Sequence, residues 1–123
     1  MNGAKMMKAD SQDERGVDLA RLAQAARRLL SPAEADDLAE TFEALADPTR
    51  VRLVSALAEM ELSVGELAEL LAMSVSAISH QLHLLRRLRL VQRRREGRRI
   101  YYALDDEHIT SIYRCGLDHV RHK

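Results

Sequence analysis

A capping box at Ser63-Val64-Gly65-Glu66 opens one short amphipathic segment, and Ser74 opens another after a tight link at residues 72–74. At each start a serine hydroxyl meets the free amides of a first helical turn, and Glu66 returns the favour to the first cap. The first segment runs to about Ala72, with Leu67, Leu70 and Leu71 expected inward. The second has Val75, Ile78, Leu82 and Leu85 inward and leaves Ser76, Ser79, His80 and His83 outside. Two short helices so joined are a helix-turn-helix.

The character changes after Arg89. Leu90-Val91-Gln92-Arg93-Arg94-Arg95 and Arg99-Ile100-Tyr101-Tyr102-Ala103-Leu104 alternate loosely and are rich in β-formers, and Glu96-Gly97-Arg98 links them. A basic hairpin directly after a helix-turn-helix is a wing. Charge follows the same division. Residues 74–99 hold 8 Arg against Glu96 alone, whereas residues 1–73 hold 8 Lys/Arg against 14 Asp/Glu. A neutral protein with one such block has a surface suited to a polyanion and an otherwise acidic body.

The flanks read as helices. Residues 1–16 show no period and are expected to be a flexible arm. From 17 to 30, Leu19, Leu22, Ala23, Ala26, Leu29 and Leu30 form one stripe, expected to be buried. Ser31-Pro32 with Glu34 starts a helix running to about Ala46, and Asp47-Pro48 ends it and caps a third over 48–59. Asp105 is the expected cap of a last helix ending near Arg121. The expected fold is therefore mainly α with a β-hairpin wing: a dimeric winged helix-turn-helix over 17–123, with N- and C-terminal dimerisation helices.

With 123 residues, 46% of them apolar, the chain needs no covalent staple. Cys115 is its only cysteine, which excludes an internal disulfide and a thiolate cage within one chain, and points to a reducing cytoplasm. Cys115 itself reads as a small buried apolar residue. No run of 18 apolar residues is present and the first residues lack a secretory core, so the expectation is a cytoplasmic protein with no membrane partner.

An α-helix fits the major groove of duplex DNA, so Ser76, Ser79, His80, Gln81 and His83 are the expected base readers. The spacing of Gln81 from Ile78 and Leu82 leaves it between the outer and inner faces. Arg93, Arg94, Arg95, Arg98 and Arg99 are expected to neutralise phosphates or lie along a minor groove, supplying affinity more than specificity.

Three of the five histidines, His108, His119 and His122, fall in the last helix. At about 100° per residue they share one stripe, but His108 and His119 are separated by about 16 Å along the axis. No single ion with bonds of about 2 Å spans that distance. Two copies packed antiparallel about a two-fold axis would solve this. Each of two sites would take a carboxylate and His108 from one chain and His119 and His122 from its partner. Asp106 is the expected carboxylate, reaching the site from the irregular entry turn, with Asp105 as its competitor. Three imidazoles and a carboxylate suit four-coordinate zinc; cobalt is admissible and nickel less natural.

From Leu38 onward the chain resembles the ArsR/SmtB family of winged-helix metal sensors. The carriers are Ala44-Leu45-Ala46-Asp47-Pro48-Thr49-Arg50, Glu61-Leu62-Ser63-Val64-Gly65-Glu66-Leu67-Ala68, Ser76-Ala77-Ile78-Ser79-His80-Gln81-Leu82 and Arg95-Glu96-Gly97-Arg98 followed by Tyr101-Tyr102. Asp106-x-His108 and His119-x-x-His122 resemble the ligand pattern of the zinc sensors with an interfacial site. The resemblance implies that a metal-free dimer binds an operator and metal releases it. It also implies a link in which the free ring nitrogen of His119 donates to the backbone carbonyl near Arg89. Ser63 and Gly65 stand where arsenic and cadmium sensors carry cysteine, which speaks against a thiolate site, and Val75 replaces a glutamine of some relatives.

Rival readings are a DNA-binding dimer with a non-metal effector, a metal-dependent hydrolase, and an interaction module that touches no nucleic acid. Four protein ligands leave no open position for water and no separate base is evident, so neither an enzyme nor a small-molecule substrate is expected. The arginines from 93 to 99 argue against the third.

Overall fold

A computed structural model describes residues 15–122. The expected arm over 1–16 therefore lies almost wholly outside the described residues. The chain divides into two compact units, Met1–Asp36 and Asp37–Lys123.

In the first unit, helix α1 spans Leu19–Ala26, and the Asp18 side chain accepts from the amide of Arg21 at its start. The expected helix over 17–30 is thus shorter, and its stripe is not buried: Leu19, Leu22, Leu29 and Leu30 are exposed. Periodicity reports that a face is apolar, not what covers it. Helix α2, Pro32–Ala44, begins at Ser31, whose hydroxyl accepts from the amide of Glu34, and it crosses into the second unit.

The second unit carries the core. Helix α3 (Pro48–Leu57) starts at Asp47, whose carboxylate accepts from the amide of Arg50, with Pro48 at the position where a missing N–H is harmless. Strand β1 (Leu62–Ser63) leads into α4 (Val64–Leu71), and the Ser63–Glu66 capping box is present in both directions. Ser74 caps α5 (Val75–Arg87) through the amide of Ala77. Strands β2 (Val91–Glu96) and β3 (Arg99–Leu104) form the wing, and α6 (Glu107–Arg121) closes the chain. The sheet is antiparallel in the order β1-β3-β2. Strand β1 leaves no mark in the sequence, because two residues are too few to show a period.

Both helices of the helix-turn-helix end in the same way. The amide of Met73 donates to Ala68 and that of Ala72 to Glu69; the amide of Leu90 donates to Leu85 and that of Arg89 to Arg86. This double bond pattern needs a left-handed residue after the helix, and Ala72 (φ 55°) and Arg89 (φ 60°) supply it where glycine is usual. The wing turns through Gly97 and Arg98 between the paired residues Glu96 and Arg99, and Gly97 (φ 61°) takes the positive angle that a two-residue hairpin demands.

The core joins Leu53, Val54 and Leu57 of α3 to Leu67, Ala68 and Leu71 of α4, to Ile78, Leu82 and Leu85 of α5, and to Leu90, Val91, Tyr102, Leu104 and Ile109. Helix α3 packs against α4, α6 and β3. Leu70 and Val75, expected inside, are 60% and 55% exposed. A step of three from Leu67 turns Leu70 about 60° away from the arc shared by Leu67, Ala68 and Leu71. Val75 has a suitable angle but lies in the first turn of α5, ahead of its first buried residue, Ile78.

Candidate functional site

The outer face of α5 presents Ser76, Ser79, His80 and His83 to solvent, while Ile78, Leu82 and Leu85 are fully buried beneath it. Gln81 behaves differently. It is half-buried, and its Oε1 accepts from Nε of Arg50 at 3.0 Å. That partner is 31 residues away in sequence, beyond the reach of any local pattern.

All five arginines of the wing are exposed, but they are not equivalent. Arg94 donates from Nε to Glu61 at 2.6 Å and from Nη1 to Glu96 at 2.9 Å, and its guanidinium stands 5.1 Å from the centre of the Tyr101 ring. Hydrogen bonds to Glu96 and then Glu61 hold its charge even more firmly than usual. Two carboxylates thus neutralise the arginine that pairs across the ladder with Tyr101. Arg95 donates from Nε to the carbonyl of Gly97 at 3.2 Å, bracing the turn. Arg93 and Arg95 lie opposite Tyr102 and Ile100, so they share the other face of the ribbon. Arg98 is at the tip. Beside Tyr101 on the Arg94 face, Arg99 has its charge reinforced by a hydrogen bond to that phenol.

At the start of α6 the cap is Asp106, not the expected Asp105. Extended backbone at Asp106 (φ −153°, ψ 178°) lets one carboxylate oxygen accept from the amides of His108 at 2.8 Å and Ile109 at 3.2 Å. The same oxygen lies 3.4 Å from Nδ1 of His108. An ideal helix would put residues 106 and 108 nearly opposite each other; leaving the helix at the cap brings them together. Partial desolvation raises the carboxyl pKa of Asp106, but the Ile109 amide, the His108 side chain and the His108 amide outweigh it and hold the group below the usual carboxylate range. The His108 imidazole is 90% exposed.

The other end of α6 carries His119 and His122, both exposed, with Nδ1 of His122 at 3.8 Å from a carboxylate oxygen of Asp118. Arg89 ends α5 at the left-handed position. Among the described residues no hydrogen bond joins it to His119, and no three His, Cys, Asp or Glu side chains converge as a metal cage. The structure therefore unites Asp106 with His108 and leaves His119 and His122 at the far end, as the length of the helix requires. Cys115, expected to be buried, is exposed.

Phe42, Val51, Ile112 and Val120 line an apolar groove with Leu45, Tyr113, Gly116 and Leu117. Phe42 and Val120 are 52% and 57% exposed. The spacing of Ile112, Tyr113, Gly116, Leu117 and Val120 along α6 signalled this stripe; the contributions of Phe42 and Val51 from α2 and α3 were not legible. No helix among the described residues is long and apolar enough to cross a membrane.

Comparison with known proteins bears on the family and the fold. Residues 47–93, from the cap of α3 to the start of the wing, match the model of the bacterial regulatory protein, arsR family. The chain is 47% identical to the transcriptional repressor SmtB homolog of Synechocystis over 89% of its own length and 83% of that protein's. It is 40% identical to the cadmium resistance transcriptional regulatory protein CadC homolog of Staphylococcus aureus, covering 69% of this chain and 71% of that one. The homodimeric winged helix-turn-helix DNA-binding domain Mb0332 of Mycobacterium bovis superposes with a TM-score of 0.70 at 28% identity, covering 76% of this chain and 89% of that one. These relatives are transcriptional regulators, not enzymes, and the winged helix-turn-helix expected from the sequence is the fold observed. The chain belongs to the ArsR family of bacterial DNA-binding regulatory proteins.

Proposed function

We propose that this protein is a metal-responsive repressor: a homodimer that binds operator DNA without metal and releases it on binding zinc at two sites shared between its C-terminal helices. The observation that carries this reading is the placement of the four candidate donors at the two ends of α6. Asp106 and His108 stand side by side at one end, and His119 with His122 occupies the other. Each half offers two donors, and only a second chain running the opposite way can complete four.

The donor set fits zinc. Three imidazoles and one carboxylate match its preference for four nitrogen and oxygen ligands, and cobalt shares it. With Cys115 the only thiol and on the middle turns of α6, a soft-ligand site for cadmium is disfavoured, whatever the cadmium resistance relative uses. Zinc bound there would act as a clamp, carrying no redox chemistry and no open position. Asp106 would give one oxygen to the ion while its cap bonds fix where that oxygen points.

Dimerisation is supported by the apolar groove around Phe42, Ile112 and Val120, which a second copy would cover, and by the homodimeric state of the Mycobacterium bovis relative. On DNA, α5 would lie in the major groove with Ser76, Ser79, His80 and His83 toward base edges, and Arg93, Arg98 and Arg99 would meet phosphates. Arg94 and Arg95, already engaged within the wing, would shape it. The link from His119 to the carbonyl of Arg89 would form with the bound ion, tying the metal helix to the end of the reading helix. Reciprocity requires that operator DNA weaken zinc binding by the same factor that zinc weakens operator binding.

Sedimentation of the purified chain, together with zinc titration against a competing chelator, tests the reading. A dimer taking up one zinc per chain, with uptake lost in His122→Ala, is expected. A monomer, or a dimer that takes up no zinc, contradicts it.

A further inference from the structure

The half-buried pair Arg50 and Gln81 is not explained by groove contact, by phosphate neutralisation or by metal binding. Arg50 sits in the first turn of α3, where its amide donates to Asp47 at 3.1 Å. Its side chain then reaches two other helices. Nε donates to Oε1 of Gln81 in α5 at 3.0 Å, and Nη1 donates to the carbonyl of Ala44, the last residue of α2, at 3.3 Å. A guanidinium has donors in a fixed planar fork and no acceptor, so the Gln81 oxygen must face it. The Ala44 carbonyl is one of those a helix end leaves without an internal partner, and a cation there also meets the negative end of the helix.

The apolar contacts of Ile78, Leu82 and Leu85 hold α5 against the core, but burial is not directional and tolerates a small roll of the helix about its axis. Side-chain tips stand about 5–6 Å from that axis. A roll of about 20° therefore moves a tip by about 2 Å, enough to break a hydrogen bond to a base edge. A directional bond between side chains on two elements removes that freedom. Gln81 lies between Ser79, His80 and His83 in sequence but turns the other way, so whatever fixes it fixes the rotation of the exposed set.

We propose that Arg50 is a positioning residue for operator recognition: through Gln81 it locks the rotation of α5, so that Ser76, Ser79, His80 and His83 are presented together. Gln81 then contributes to sequence reading as the anchor point of the helix, and its amide meets no base. The proposal deepens the reading of α5 as the groove-facing helix and rests on it.

Operator affinity measured by fluorescence anisotropy across a salt series for Arg50→Met, Arg50→Lys, Gln81→Met and the double variant Arg50→Met/Gln81→Met tests the proposal. Each single variant is expected to weaken operator binding by about tenfold, the scale of a hydrogen bond to a charged group. The double variant should be no weaker than either single one, because both break the same bond. The salt slope and zinc uptake should stay as in the wild type. Arg50→Lys, which keeps charge and bulk but cannot hold both partners in one plane, guards against a folding defect and should behave like Arg50→Met.

Additive effects, or a changed base preference confined to Gln81→Met, would mean that Gln81 reads a base directly, and that overturns the proposal. A salt slope lower by about one in Arg50→Met but unchanged in Arg50→Lys would make Arg50 a phosphate contact and overturn it equally. Proton exchange at Nε of Arg50, followed by NMR without DNA, decides the clamp separately. A protected Nε–H in the wild type that becomes unprotected in Gln81→Met supports it even if the chain fails to bind any operator; an unprotected Nε–H in the wild type refutes it.

Discussion

The carboxylate of Asp106 caps α6 and at the same time lies 3.4 Å from the imidazole of His108, so one group starts the last helix and, in the proposed zinc site, would also be a ligand beside its neighbour.

The two roles separate by substitution. Asparagine is as good a helix cap as aspartate, whereas alanine is a poor one. Asp106→Asn should therefore melt close to the wild type at neutral pH, and Asp106→Ala should melt lower. Both should lose zinc affinity by more than the 10–100-fold that removal of an outer partner of a metal site costs. Metal-free melts across pH add a sign. The pKa of Asp106 is held down in the folded chain. The stability its charge contributes is whole above the ordinary value of about 3.9 and is lost as pH falls through the lower folded value. The difference between wild type and Asp106→Asn should therefore shift against the wild type as pH falls through the folded value of Asp106; a difference that does not change in the acid range would contradict this assignment.

The wing arginines should divide in a salt titration. Removing one phosphate-neutralising side chain lowers the slope of log affinity against log salt by about one. Arg98→Ala should show that drop. Arg94→Ala should not, because Glu61 and Glu96 already hold its guanidinium. Glu61→Gln, which leaves Arg94 only one carboxylate, should raise the slope. Equal slopes for Arg98→Ala and the wild type would remove the tip of the wing from the interface.

Core and rim positions of the helix-turn-helix should respond in opposite ways. Leu82 is fully buried, so Leu82→Ala should cost about 2–5 kcal/mol of unfolding free energy in urea. Leu70→Ala, at a residue 60% exposed, should stay within about 0.5 kcal/mol. Ala72→Gly should stabilise by up to about 1 kcal/mol, since a left-handed φ of 55° costs any residue with a Cβ. A destabilised Ala72→Gly would show that the loss of backbone freedom outweighs the relief.

The apolar groove on α6 should be an oligomer surface. Ile112→Glu places a charge among Phe42, Val51 and Val120. Sedimentation should show the wild-type dimer shifting to monomer, with zinc uptake falling alongside because each site draws on two chains. Dimers that survive Ile112→Glu with full zinc binding would move the interface elsewhere.

How much of this was legible beforehand depends on how local the cause is. Ser63 with Glu66, Ser74 and Asp47 announced their helices because a cap acts within three residues, and the β-formers on either side of Glu96-Gly97-Arg98 announced the wing, although Glu96 belongs to its first strand and the turn is Gly97-Arg98 alone. The spacing of His108, His119 and His122 was readable for the same reason: a helix fixes distance along its axis. What failed involved distant partners. Nothing near Gln81 betrays Arg50, and nothing near Arg94 betrays Glu61. The exposed stripe of α1 and the exposed Leu70 show the complementary limit, since an apolar period marks a face without naming its neighbour. That Asp106 and not Asp105 caps the last helix turned on a single backbone conformation at the helix entry.

Filling a site built from both ends of two α6 helices should change how the pair holds DNA. Operator affinity of the wild type and of His108→Ala, titrated with and without saturating zinc at one salt concentration, tests it most directly. Zinc should weaken the wild-type complex about 5–150-fold, the usual range of coupling between two sites, and should leave His108→Ala unmoved. Equal wild-type affinity with and without zinc, or a variant that still responds, would contradict the account.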